Sequence, residues 1–240
     1  MKAVILAGGR GRRLAPFTAA FPKPLVPVGD RAVLEVLIRR LVAAGVEEIV
    51  LSVDHLAELI MAYVEGHPGL RSLAKYRFVR DERPGGTAGP LQRIEGLGDT
   101  FLVCNGDLLT ELDLRALVAH HRAEAAALTV AVHRKPVKLA LGVLDIDARG
   151  RIARYTEKPE FQYDVSMGVY VYDARALGFI APGEYLDFPD LVARLLAAQE
   201  TVAAFRTDAY WLDIGNPDDY ARAQEDAAAG RGPAAMKDER

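Results

Sequence analysis

The sequence predicts an α/β fold, a doubly wound and mostly parallel (mixed) sheet flanked by helices. Three observations predict it. A short apolar run at residues 3–6 breaks at once into Gly8, Gly9 and Gly11, as a buried strand ending in a backbone turn does. Segments of strand length then alternate with segments of helical spacing along most of the chain. A second apolar run, residues 100–104, ends in Asn105-Gly106-Asp107, which puts a carboxylate just past the end of a buried strand, where ligands bind in open α/β sheets.

The loop behind the first strand lacks Cβ atoms at Gly8, Gly9 and Gly11, so its amides can approach a ligand closely. Arg10, Arg12, Arg13 and Lys23 add four cations within fourteen residues. Bare amides and guanidinium groups at a strand end suit a polyphosphate. A Walker A loop would need Lys-Ser or Lys-Thr after its glycines, and the dinucleotide fingerprint a glycine where Leu14 stands; neither is present. A glycine turn with solvated arginines would explain the same residues in isolation. Their place directly behind the first strand favours a nucleotide.

Val33, Leu34, Leu37, Ile38 and Leu41 recur at helical spacing and stop near Gly45. Residues 48–53 read as a strand, 56–64 as a helix closed by Gly66 and Pro68, and 76–79 as a third strand. Residues 83–90 form a turn-rich loop; Gly85 and Gly86 allow a nucleobase close to the backbone, and Thr87 offers a hydroxyl. Residues 112–124 read as a helix. Its His120 and His121 are neighbours that point to different faces, a poor metal pair, and read as surface residues. After a strand at 127–132, residues 142–146 and 152–155 form a hairpin around the turn at 147–150, a departure from parallel winding. It presents Glu157 and Lys158, which alone would read as solvated charges. Residues 165–172 are a strand interrupted by Gly168, where a ligand could approach the backbone. Helices at about 174–179 and 188–198 and a strand at 202–205 follow. Residues 210–215 lead into Asn216-Pro217, a helix start with Asn as cap and Pro in the first turn. From Ala227 onward Ala, Gly and charges read as a frayed, flexible tail, residues 227–240.

Composition bounds the function. The 240 residues suffice for one large domain with a real core. A formal charge of −3 argues against a nucleic-acid-binding surface while permitting a local cationic pocket. The single cysteine, Cys104, cannot form an internal disulfide, which points to a reducing cytoplasm, and its apolar neighbours make it a buried thiol. No run of eighteen apolar residues and no apolar leader core are present, so neither membrane insertion nor export is expected. The sequence leaves a homo-oligomer open.

Leu6-Ala7-Gly8-Gly9-Arg10-Gly11-Arg12-Arg13-Leu14, with Pro22-Lys23-Pro24, resembles the signature of the sugar-1-phosphate nucleotidyltransferases (nucleotide-sugar pyrophosphorylases). Those enzymes join a nucleoside triphosphate to a sugar 1-phosphate and release pyrophosphate. Further motifs follow in the family's order: 85–90, 105–107, 157–159 and 210–215. The resemblance implies a Rossmann-like nucleotidyltransferase domain over residues 1–226, with a nucleotide-binding part at about 1–110 and a sugar-binding part at about 111–226. The left-handed β-helix that some relatives append is not expected. It implies nucleotide contacts at Leu6, Ala7, Gly8, Gly9, Gly11, Gly86 and Thr87. It implies catalytic roles for Arg13, Lys23, Asp107 and Lys158, Mg²⁺ ligation by Asp107 and Asp213, and sugar contacts at Gly142, Glu157, Lys158 and Gly168. The family pattern usually carries Thr at position 12, so Arg13 inherits the catalytic arginine. Ser166 and Met167 depart from the family's Asn before the small residue and glycine.

Asp81 falls about where the family reads the base. A carboxylate only accepts, which suits the adjacent N1–H and amine of guanine better than thymine or uracil, where one N–H is flanked by carbonyls. Motif similarity is nearest to the mannose-1-phosphate guanylyltransferases, so GTP with mannose 1-phosphate is the favoured pair and a glucose-1-phosphate thymidylyl- or uridylyltransferase the alternative. A catalytically silent sugar-nucleotide sensor would be expected to have lost Arg13, Asp107 or Asp213. A glycosyltransferase would not need the arginine-rich loop.

Overall fold

The computed structural model describes residues 1–9, 11–14, 17–80 and 84–235. Strand β1 (Lys2–Leu6) opens the chain with Ala3, Val4 and Ile5 fully buried. Behind its glycine loop come helix α1 (Phe17–Ala20) and a small ribbon of β2 (Pro27–Val28) and β3 (Arg31–Ala32). Helix α2 (Val33–Ala43), β4 (Glu48–Val53), α3 (Ala57–Gly66) and β5 (Lys75–Arg80) follow, then β6 (Thr100–Asn105) and β7 (Leu108–Thr110). Helix α4 (Leu114–Ala123) is capped by Asp113, which accepts from the amides of Arg115 and Ala116 at 3.0 and 2.9 Å. Next come β8 (Leu128–Lys138), β9 (Val143–Ile146), β10 (Ile152–Thr156), β11 (Glu160–Asp173) and helix α5 (Phe188–Ala197). The last elements are β12 (Val202–Thr207), β13 (Trp211–Asp213) and α6 (Pro217–Ala228), whose cap Asn216 accepts from the Asp219 amide at 3.0 Å.

A seven-stranded sheet in the order β12-β8-β11-β6-β1-β4-β5 forms the centre. β1 pairs in parallel with both β4 and β6, β4 with β5, and β12 with β8; β11 runs antiparallel to β6 and β8. The reversal therefore falls on β11, because the chain turns back through the β9–β10 hairpin and pairs again with β8. That hairpin is a separate two-stranded sheet, and Leu141, Ile146, Ile152 and Tyr155 on and beside it are 77, 63, 65 and 61 % exposed.

Strand alternation sorts the core into two layers. Ala3 and Ile5 of β1 pack towards α2, α3 and α4, together with Leu37, Ile60 and Leu117. Val4 packs on the other face with Leu91, Ile180, Leu191 and Leu195. A third apolar cluster joins Leu14, Val33, Leu109, Leu212, Ile214, Ala223 and Ala234 beneath the short β7–β13 pair. Among the described residues no helix is long and apolar enough to cross a membrane.

Two expectations need correction. The segment from Ala227 is not frayed over its described part: α6 continues to Ala228, Arg231 bonds Asp226 at 2.7 and 3.0 Å, and Pro233 and Ala234 are buried. Alanine is the best helix former and packs closely, so Ala-rich composition is compatible with docking as well as with disorder. His121 is not a surface residue: it is 2 % exposed, with Nδ1 2.8 Å from Thr129 Oγ1, because its face of α4 meets β8. His120 is half-buried against the ring of Phe205.

Candidate active site

β1 ends between its two parallel neighbours, with Leu6 opposite Ser52 of β4 and Asn105 of β6. The Ala7 amide donates to Ser52 O at 2.8 Å and the Gly106 amide to Leu6 O at 2.9 Å, so three strand ends are stitched together where the glycine loop begins. Gly11 has φ +58°, and a methyl group there would lie 2.9 Å from Thr18 Cγ2. Thr18 donates to Gly11 O at 2.7 Å and the Leu14 amide to the same oxygen at 2.9 Å, which folds the loop back towards Lys23.

A cavity of about 410 Å³ opens on this junction. Its floor is Leu6 to Gly9 with Asn105 to Asp107, one side is Ser52 and Asp54, and Lys23 and Pro24 close it near Asp107. Pro84 to Thr87 with Pro90, Tyr185 and Asp187 complete the lining. Of the residues singled out from sequence, Leu6, Ala7, Gly8, Gly9, Lys23, Gly86, Thr87 and Asp107 line it.

The charged end is built from distant segments. Lys23 Nζ bonds Asp107 Oδ2 and lies 3.6 Å from Asp213 Oδ1. Asp213 arrives because β13 pairs with β7, placing it opposite Leu108, and because the Ile214 amide donates to Asp107 O at 3.1 Å. The Arg13 guanidinium packs over Gly215, 3.2 Å from where a methyl group would stand. Burial raises the Asp213 carboxyl above the ordinary aspartate value, the charge of Asp107 raises it further, and Lys23 and Arg13 oppose the shift. Asp213 Oδ1 is buried and makes no hydrogen bond among the described residues. Arg13, Lys23, Asp107 and Asp213 thus share one cluster.

Gly168 abuts it from β11. Its φ is +72°, and a methyl group would lie 2.6 Å from Asn105 Nδ2, so glycine is required where β11 bulges past the cavity floor. Ser166 Oγ accepts from the Gly168 amide at 3.3 Å and meets Tyr170 OH at 3.3 Å, so it is occupied within the bulge. Trp211 donates its indole N–H to Met167 O at 2.9 Å, tying the strand of Asp213 to that bulge.

The remaining candidates stand elsewhere. Gly142, Glu157 and Lys158 do not line the cavity. They sit at the hairpin, where a methyl group on Gly142 would overlap Tyr155 and the Tyr155 hydroxyl donates to Glu157 at 2.7 Å. The Lys158 side chain is 60 % exposed, with Nζ 3.7 Å from Glu157. Thr87 lines the wall, but its hydroxyl accepts from the Phe188 amide at 2.8 Å and donates to Asp187 at 3.3 Å, so it clamps the wall to the start of α5. Asp81 lies outside the described residues.

Sequence reasoning missed Asp54, Tyr185 and Asp187. Asp54 carried a readable signal, since it too stands just past the carboxyl end of a buried strand. Tyr185 and Asp187 carried none, because they reach the cavity through tertiary bonds: Ala88 and Gly89 donate to Leu186 O at 2.9 and 3.0 Å, and Leu186 donates to Gly85 O at 3.0 Å.

A glycine loop at a strand junction, a cationic end and two converging acids thus meet at one end of an open, largely parallel α/β sheet. The chain belongs to the nucleotidyl transferase family, whose sequence profile matches residues 2–230. It is 32 % identical over 238 residues to UTP–glucose-1-phosphate uridylyltransferase of Synechocystis sp., covering 92 % of this chain and 61 % of that protein. It is 31 % identical over 237 residues to mannose-1-phosphate guanylyltransferase of Mycobacterium tuberculosis, covering 96 and 66 %. The chain thus spans about three-fifths to two-thirds of the length of these relatives. The crystal structure of HddC from Yersinia pseudotuberculosis complexed with GMP-PN superimposes with a TM-score of 0.69 at 28 % identity, covering 93 % of this chain and 98 % of that one.

Proposed function

We propose that the chain transfers a nucleoside monophosphate from a nucleoside triphosphate to a hexose 1-phosphate, giving a nucleoside diphosphate sugar and pyrophosphate. The observation that carries this reading is Lys23 joined to Asp107 and close to Asp213 at the end of the glycine-lined cavity. GTP with mannose 1-phosphate is the preferred pair, supported by the guanylyltransferase relative. The uridylyltransferase relative, equally similar, supports UTP with glucose 1-phosphate as the second reading.

A sugar phosphate has a second pKa of about 6, so its oxygen is already a nucleophile near neutral pH and needs no serine or histidine relay. In the proposed step that oxygen attacks the α-phosphorus in line, a new P–O bond forms, and the bond to the β-phosphate breaks with its electrons leaving on pyrophosphate. Lys23 and Arg13 neutralise the departing charge, and the amides of the glycine loop hold the phosphates. Lys158 orients the attacking phosphate and Glu157, Gly142 and Gly168 meet the sugar. Because the first three lie on the exposed hairpin, this requires the hairpin to be drawn over the cavity.

Asp107 and Asp213 would hold Mg²⁺. Two carboxylates, with phosphate oxygens and water filling the rest of the shell, suit that ion, and the buried Asp213 Oδ1 without a hydrogen bond is a fitting donor. Bound there, the ion supplies positive charge to the phosphate oxygens. The nucleotide-binding part is residues 1–110 and the sugar-binding part 111–226, although Tyr185 and Asp187 of the latter also wall the cavity. A reducing cytoplasmic setting goes with the lone, buried Cys104.

The test incubates the purified chain with Mg²⁺ and each of GTP, UTP, ATP, CTP and dTTP crossed with mannose and glucose 1-phosphates, reading pyrophosphate. The reading requires release that depends on both substrates and is greatest for GTP with mannose 1-phosphate. Release from no pair would refute the activity, and a different best pair would refute the substrate assignment alone.

A further inference from the structure

We propose that Asp54 reads the ribose of the bound nucleotide, so that the chain takes ribonucleoside triphosphates in preference to their 2′-deoxy forms. This rests on the nucleotidyl-transfer reading above and narrows its substrate class.

Leu6 of β1 lies opposite Ser52 on one side and Asn105 on the other, so two residues further on Gly8 has Asp54 on one flank and Asp107 on the other. The packing agrees, since a methyl group on Gly8 would lie 3.2 Å from Asp54 Cβ. Neighbouring strands are about 4.8 Å apart, which separates the two aspartate backbones by about 10 Å across the cavity floor.

The two acids have different company. Asp107 is bonded to Lys23, and Asp187, which also lines the cavity, accepts from Thr87 and from the Tyr185 hydroxyl at 3.0 Å. Asp54 is half-buried in the wall and has no hydrogen bond or ion pair with another described residue. A carboxylate so placed repels phosphate, so the triphosphate belongs at the Lys23 and Arg13 end, and what faces Asp54 must be a neutral donor. The ribose is the part of a nucleotide next to the α-phosphate, within reach of the far flank of the glycine loop. Its vicinal hydroxyls offer two donors to the two carboxylate oxygens, a charge-assisted pair. In dinucleotide-binding α/β sheets, whose glycine fingerprint this loop lacks, an acid beyond the glycine loop meets the ribose hydroxyl, so the chemistry of such a contact has precedent. A site built to bond a hydroxyl rejects the analogue that lacks it, because its acceptor is left unpaired.

Calorimetric titration of the whole chain with GTP and 2′-deoxy-GTP, and with UTP and 2′-deoxy-UTP, all with Mg²⁺ and no sugar phosphate, tests the proposal independently of turnover. The wild type should bind the ribonucleotide about 10- to 100-fold more tightly than its deoxy form. Asp54→Ala should bring that ratio towards one by weakening the ribonucleotide more than the deoxy form, which has only its 3′-hydroxyl to lose, and Asp54→Asn, which keeps one acceptor oxygen, should fall between. An unchanged thermal midpoint shows that the variants remain folded. Equal wild-type affinity for ribo and deoxy forms overturns the proposal. So does an Asp54→Ala variant that weakens both forms alike, or one that alters the preference between guanine and uracil while leaving the ribose ratio intact. Those outcomes leave the nucleotidyl-transfer reading standing, whereas failure to bind any nucleoside triphosphate removes both.

Discussion

Trp211 donates its indole N–H to the carbonyl of Met167 at 2.9 Å, and through that bond the strand bearing Asp213 is pinned to the bulge at Gly168. The relationship matters because β13 is only three residues long and, among the described residues, pairs only with β7. Trp211→Phe retains a ring against His133 and removes the donor. The loss should destabilise the fold by about 1 kcal/mol and, by loosening Asp213, lower kcat on the order of tenfold. Urea melts and pyrophosphate release measure the two; an unchanged kcat would separate the pin from the site.

The cavity wall at Gly86 depends on an absent side chain. A methyl group there would lie 2.4 Å from Leu186 O, a backbone atom held by the Ala88 and Gly89 amides, and φ is +77°. Gly86→Ala should therefore cost roughly 2 kcal/mol or more through strain and the broken clamp. The urea midpoint would move down; a midpoint equal to wild type would mean that the clamp yields freely.

His121 makes stability depend on pH. Burial lowers its pKa below the ordinary 6.5, Asp173 opposes the shift, and Arg175, Arg122 and His120 add to it. A depressed histidine contributes stability that is fully present above about pH 6.5, and acid removes it as pH falls from there through the folded value. One proton taken up on unfolding gives at most about 1.4 kcal/mol per pH unit. His121→Gln, which does not titrate, should flatten the fall in unfolding free energy between about pH 6.5 and 5. Parallel curves for the two proteins would show that His121 is not responsible.

Lys158 should act on the sugar phosphate and not on the fold, since its side chain is largely exposed. Lys158→Ala is expected to keep the wild-type thermal midpoint while turnover drops on the order of 100-fold and KM for mannose 1-phosphate rises. Wild-type kinetics in this variant would remove Lys158 from the mechanism.

Much of the fold is legible in sequence because local pattern and tertiary role coincide there. Residues 3–6 are apolar and end in glycines, and they are an interior strand lying between β6 and β4. Asp107 is found by the rule that ligands meet strands at their carboxyl ends, and the same rule applied to residues 48–53 reaches Asp54. What is not legible depends on contacts distant in the chain. Thr87 looks like a free hydroxyl until α5 arrives to claim it, and Ala234 looks like tail until the cluster around Leu109 and Leu212 buries it. The hairpin carrying Lys158 is readable as a hairpin, yet nothing in its residues says that it stands outside the cavity.

The central claim is that Asp107, bonded to Lys23 beside Asp213, serves transfer at the α-phosphorus. Single-turnover pyrophosphate release from GTP and mannose 1-phosphate with Mg²⁺, wild type against Asp107→Asn, tests it most directly. The expected result is a folded variant slowed on the order of 100-fold or more. Release at the wild-type rate would contradict it.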